Sequence, residues 1–325
     1  MSNNLNAGYR NEWLHKMASV CEASSTIDST LYEKYEVKRG LRDLNGRGVL
    51  TGLTEISEIQ STKISDGVQV PCDGKLFYQG IDIEEIVDGF LSEKRFGYEE
   101  VVYLLIFGKL PNESELEELK DMLANYRQSL PTSFVRDIIM KAPSVDLMNT
   151  LGRSVLTLYS YDDRADDITT ENVLRQCLQL VALFPMFAVY GYQAACYFHE
   201  GTSFFLHPPK AEYSTAENIL HMLRPDSKFS PLEAKILDIA LVLHAEHGGG
   251  NNSTFACRVL TSSGTDAYSA YSAAIGSLKG PRHGGANIKV MEMLEHIKKG
   301  VHNWEDDDEV AAFLRKIMDK QAAPV

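Results

Sequence analysis

The chain has 325 residues and 44% apolar content, enough for a sizeable core, which excludes wholesale disorder and suggests a large domain with a smaller one. Acidic residues outnumber Lys and Arg by 45 to 32, a net charge of −13, so neither nucleic acid nor an anionic membrane is an expected partner. The cysteines Cys21, Cys72, Cys177, Cys196 and Cys257 are scattered, with no CxxC pair. They suit neither a disulfide framework nor a cysteine zinc site, and they fit a reducing, cytoplasmic setting.

The first residues lack the apolar core of a secretory signal, so none is expected. Residues 1–45 are polar and read as an arm, with a helical patch at 27–38. The β-type segments at 54–61 and 75–81, with turn signals at Asp66-Gly67 and Asp73-Gly74, predict a small hairpin or sheet near residues 50–82. From residue 82 onward the periodicity is helical, so the fold class is all-α apart from that sheet. Helices are predicted at 83–92 and 98–107, and then from Asn112, where Glu115 completes a capping box. Further helices are predicted at 147–159, 171–198, 215–223, 231–247, 253–262, 266–278, 288–299 and 306–320. The most apolar stretch, 173–195, is broken by Arg175, Gln176, Gln179 and Pro185. It reads as a buried helix, bent where Pro185 removes a backbone donor, and not as a membrane span.

Several motifs fall short. Residues 46–52 form GxGxxxG, one residue too long for a dinucleotide fingerprint, and they open no βαβ unit. His244 and His247 are three apart with an acid between them, which is not a zincin spacing, so no metal site is assigned. Two clusters remain. In the first, AEHGGGNNST, His247 precedes three glycines and then Asn251, Asn252, Ser253 and Thr254 at a helix start. The positive end of a helix disfavours a cationic ring, and a neutral imidazole can still donate to a carbonyl oxygen. Plain helix capping explains the same residues. In the second, GPRHGGAN, His283 sits among glycines with Lys279, Arg282 and Lys289 nearby. An anionic ligand would explain these cations, as would an ordinary solvated helix joint.

Taken together, the two clusters resemble the citrate synthase family, bacterial type. HAEHGGGNNST is similar to its H-x-[DE]-H-[EG]-x-x-N-x-S-T element and GPRHGGAN to its G-P-x-H-G-[GL]-A-N element, at a fitting separation. LFYQGIDI at 76–83, YEEVVYLL at 98–105 with GKLP at 108–111, and AENILH at 216–221 resemble further family segments. The resemblance implies a nearly all-α, two-domain homodimer that condenses acetyl-CoA with oxaloacetate to give citrate and CoA. Acetyl-CoA is then a substrate, and no cofactor is required. By the same resemblance, His247 hydrogen-bonds the thioester oxygen, His283 holds oxaloacetate and polarises its keto group, and His221 contacts oxaloacetate. Asn251 occupies a family position and supports the turn or the substrate. The expected division is an arm at 1–45, a large helical domain at 46–247 and the first part of a small domain at 248–325.

Departures matter too. The family's G-[FY]-G-H and D-P-R motifs, the second of which supplies the catalytic base, have no counterpart here. The expectation is therefore a chain lacking the family's C-terminal catalytic part and inactive alone. Two alternatives stay open: a non-catalytic dimerising helical protein, and a 2-methylcitrate synthase. For the dimer, the segment 183–195 and the stripe Ile236, Ile239, Ala240 and Leu243 supply apolar faces.

Overall fold

A computed structural model describes residues 28–36, 41, 54–65 and 67–319. Most of the expected arm, the GxGxxxG segment and Cys21 lie outside them. Within the first 51 residues, one short helix is described, α1 (Thr30–Lys34). The rest of the described chain is helical, with one small antiparallel sheet.

The sheet is a hairpin of β1 (Ser57–Ser65) and β2 (Val68–Tyr78), extended by the two-residue β3 (Ile81–Asp82) in the order β1-β2-β3. Its register runs from Ser57↔Tyr78 at the base to Ser65↔Val68 at the tip. Asp73-Gly74, expected as a turn, lies within β2. The pairing shifts from Gln60↔Lys75 to Thr62↔Pro71, so the glycine pair is absorbed by a bulge. Pro71 is tolerated because β3 pairs only with Phe77 and Tyr78, leaving the rest of that side of β2 as an edge.

Asp82 caps α2 (Ile83–Ser92) by accepting from Glu84 N. Next come α3 (Tyr98–Phe107) and α4 (Glu113–Ser129), the latter with the expected Asn112/Glu115 capping box. A short helical stretch at Thr132–Phe134, continued by a wider π turn at Val135–Ile139, was not foreseen. Then come α5 (Leu147–Leu158) and the long α6 (Thr170–Ala195), which runs unbroken through Pro185. Its apolar length matches a membrane span, yet half of that window is buried inside the fold. The remaining helices are α7 (Thr215–Leu223), α8 (Pro231–Leu243), α9 (Asn252–Thr261), α10 (Ala267–Lys279), α11 (Ala286–Gly300) and α12 (Asp307–Met318). One boundary matters for the site. The helix expected to reach His247 ends at Leu243, where the His244 Nδ1 lies 2.7 Å from the Ala240 carbonyl.

The main core joins α5, α6, α7 and α10 through Leu183, Phe187, Val155, Met222, Tyr268 and Ile275, with Phe134 stacked on Phe187. A second cluster joins the hairpin base to α2, α3 and α8 through Tyr78, Phe90, Val101 and Val242. Each such side chain contributes about 1.5–3 kcal/mol by leaving water. Buried polar groups tie the helices together. Asp238 of α8 accepts from the Gly97 and Tyr98 amides at 2.7 and 3.1 Å, capping α3 from a distance. Asp162 accepts from Arg175, Gln176 and the Tyr268 hydroxyl, joining α10 to α6.

Candidate active site

His247 lies four residues beyond α8, in a loop that the hairpin base grips. The Tyr78 hydroxyl shares its proton between the Val242 and Glu246 carbonyls, at 2.9 and 3.0 Å, and accepts from Glu246 N at 3.2 Å. The Glu246 Oε1 accepts from His247 N at 3.1 Å, Gly248 N at 2.6 Å and Ser57 Oγ at 3.1 Å. Gly248 has φ +99°, a conformation that a side chain would strain. The His247 side chain is exposed.

Asn251 is occupied with the turn. Its Oδ1 accepts from Thr254 N at 2.8 Å and Ser253 Oγ at 2.7 Å, and its Nδ2 donates to the Gly248 carbonyl at 3.0 Å. It closes the loop and caps α9, with one amide N–H left over.

His283 is brought to the same place. Its Nε2 lies 3.2 Å from Ser253 Oγ, in the first turn of α9. That contact sets the His283 ring against the first turn of α9. The glycines after His283 are demanded by the backbone. A Cβ on Gly284 would lie 1.9 Å from the Leu278 carbonyl oxygen, and one on Gly285 would lie 2.4 Å from that of Pro281. They let the backbone turn back on itself and do not merely clear space round the ring. Of the three cations at this turn, Lys279 pairs with Asp146 at 3.0 Å and Lys289 with Glu292 at 3.1 Å. Arg282 is exposed.

His221 is not brought to these residues. It is 8% exposed, with ring centroids of His207 at 5.8 Å and Tyr213 at 5.6 Å. Burial lowers its pKa, the Lys210 charge adds to this, and the Pro208 and Ser227 carbonyls oppose it. Ser227 precedes α8 and His247 follows it, so a 13-residue helix, ~20 Å long at 1.5 Å per residue, separates the two regions.

Sequence reasoning missed Glu246, Tyr78 and Ser57. The acid inside HAEH was the available signal, but it was weighed only as part of a metal motif. Among the described residues no group of three or more His, Cys, Asp and Glu side chains is placed to hold a metal ion. Apart from the site, an apolar cleft of about 870 Å³ runs along α6, lined by Val173, Leu174, Val181, Phe184 and Pro185 with Leu241 of α8.

Residues 41–324 match the family model described as citrate synthase, C-terminal domain. The chain is 37% identical over 229 residues to citrate synthase 2 of Bacillus subtilis (strain 168), covering 69% of this chain and 57% of that protein. It is 30% identical over 293 residues to 2-methylcitrate synthase 2 of Corynebacterium glutamicum, covering 88% and 66%. Among solved structures, citrate synthase from Pyrobaculum aerophilum superposes with a TM-score of 0.65 at 29% identity, over 81% of this chain and 62% of that one. The chain thus spans roughly 57–66% of the length of these relatives.

Proposed function

Because the chain belongs to the citrate synthase family, we propose that the protein it represents condenses acetyl-CoA with oxaloacetate and water to give citrate and CoA. The observation that carries this reading is the contact of His283 with Ser253, which joins the GPRHGGAN turn to the loop of His247. Two imidazoles, one at the start of α9 and one on the loop that precedes it, suit a reaction in which two carbonyl oxygens gain negative charge. The methyl carbon of acetyl-CoA loses a proton, and negative charge moves to the thioester oxygen. The resulting enolate attacks the keto carbon of oxaloacetate, whose oxygen is protonated, and water then cleaves the thioester.

In this reading the donor to the thioester oxygen is His247, open on its loop, and His283 holds oxaloacetate and polarises its keto group, the roles that the motifs imply. Asn251 serves the turn, and His221 stands beside His207 and Tyr213. No carboxylate of this chain is assigned as the base that removes the methyl proton. Acetyl-CoA is favoured over propionyl-CoA by the higher identity to a citrate synthase than to a 2-methylcitrate synthase. A homodimer is part of the proposal. It is supported by the apolar cleft along α6 and by Leu232, Ile236 and Leu243, which leave an exposed apolar face on α8.

The test is CoA release with acetyl-CoA and oxaloacetate, on the 325-residue chain and on a chain extended through the downstream reading frame. Turnover is expected only from the extended chain. There His247→Ala should lower kcat by about a hundredfold or more, as for one lost oxyanion donor, while His283→Ala weakens oxaloacetate binding as its leading effect. Full turnover by the 325 residues alone, or an unchanged rate in folded His247→Ala, would overturn these assignments. Sedimentation of a monomer at micromolar concentration would remove the dimer.

A further inference from the structure

We propose that Glu246 is the positioning residue for His247, an inference that rests on the citrate synthase reading. The His247 ring makes no hydrogen bond with another described residue. The main chain of residues 246–248 carries it. That main chain passes through the left-handed region at Gly248, φ +99°, and leaves the helical path after Leu243. Asn251 closes the turn from its far side, and the bonds at its near side hold the rest.

Those bonds converge on one residue. A single carboxylate oxygen of Glu246 takes the amides of His247 and Gly248 and the hydroxyl of Ser57. The Glu246 amide and carbonyl are both held by Tyr78. Ser57 and Tyr78 are cross-strand partners at the hairpin base, so one rung of the sheet grips the residue before His247 from both its side chain and its backbone. Ile59 adds an apolar wall, with Cδ1 3.4 Å from where a Gly248 Cβ would lie. Displacement of a reacting group by about 1 Å costs on the order of a hundredfold in rate. Glu246 therefore acts through His247 and touches no reacting atom itself.

The experiment compares wild type, Glu246→Ala and Glu246→Gln in two measurements. The first is hydrogen exchange at the His247 and Gly248 amides of the 325-residue chain. The second is steady-state kinetics of the full-length enzyme. Glu246→Ala should expose both amides and lower kcat about a hundredfold, with the KM for acetyl-CoA changed by less than about threefold. Glu246→Gln keeps an acceptor oxygen and should restore most of the protection and most of the rate. Wild-type exchange in Glu246→Ala would overturn the proposal. So would an unchanged kcat despite exposed amides, or a rate that merely follows the folded fraction in both variants. A full-length wild type without turnover would instead overturn the citrate synthase reading, and this proposal with it.

Discussion

Asp238 offers a sharp test of how the helices are tied together. It has no exposed surface and accepts from the Gly97 and Tyr98 amides at the start of α3. Burial pushes its carboxyl up to about 6, against an unperturbed 3.8; the two amides and Lys235 oppose the rise and the Glu99 charge adds to it. The native state thus holds this proton longer than the unfolded chain does. The associated stability is complete below the unfolded value and is lost as pH rises through the folded one. A shift of about two units corresponds to ~3 kcal/mol, of which ~2 kcal/mol falls between about pH 4.5 and pH 7.5. Asp238→Ala abolishes that titration and orphans two amides, at about 1–3 kcal/mol each. Its destabilisation should therefore be about 4 kcal/mol at the acid end and about 2 kcal/mol at the neutral end. Urea unfolding of both proteins at both pH values measures the difference. A destabilisation that is independent of pH, or larger at neutral pH, would refute the raised carboxyl and the linkage built on it.

Gly284→Ala drives a Cβ into the Leu278 carbonyl and should cost about 3 kcal/mol or more, displacing the His283 turn; circular dichroism melts would show it. Asn251→Ala removes the cap of α9 and the bond to Gly248, and should cost about 1–2 kcal/mol in chemical denaturation. Tyr268→Phe removes a donor to Asp162, a carboxyl that burial would raise but that its bonds to Arg175, Gln176 and Tyr268 hold down at about 2. It should cost about 2 kcal/mol at neutral pH. That cost should fade as pH drops through the carboxyl's folded value, so an undiminished loss in acid would contradict it.

Helices with a clear apolar period and a cap were legible in the sequence: Ile83–Ser92, Tyr98–Phe107 and Thr215–Leu223 end where periodicity placed them. The end of α8 was misread because the apolar run continues into Ala245, while His244 bonds back to Ala240 and terminates the helix. Asp73-Gly74 was misread because a turn dipeptide and a bulge make the same local demands, and only the partner strand decides between them. At the candidate site, motifs singled out both histidines, but the meeting of His283 with the start of α9 depends on a contact across 30 residues. Glu246, Ser57 and Tyr78 act together across more than 160 positions of sequence. No local pattern encodes such a meeting.

The long hairpin has one more consequence. Beyond Ser57 every residue of β1 is exposed. The base, Ser57 opposite Tyr78, with Ile59 beside Gly248, engages the histidine loop. The rungs beyond Gln60 take no part in the bonds to Glu246, and that division makes them removable. Residues 61–74 replaced by a two-residue turn between Gln60 and Lys75, themselves partners in the ladder, would leave every bond to Glu246 in place. The projecting tip is then a natural seat for an affinity tag, a fluorophore or an inserted peptide, separated from the chemistry by the rung that serves it.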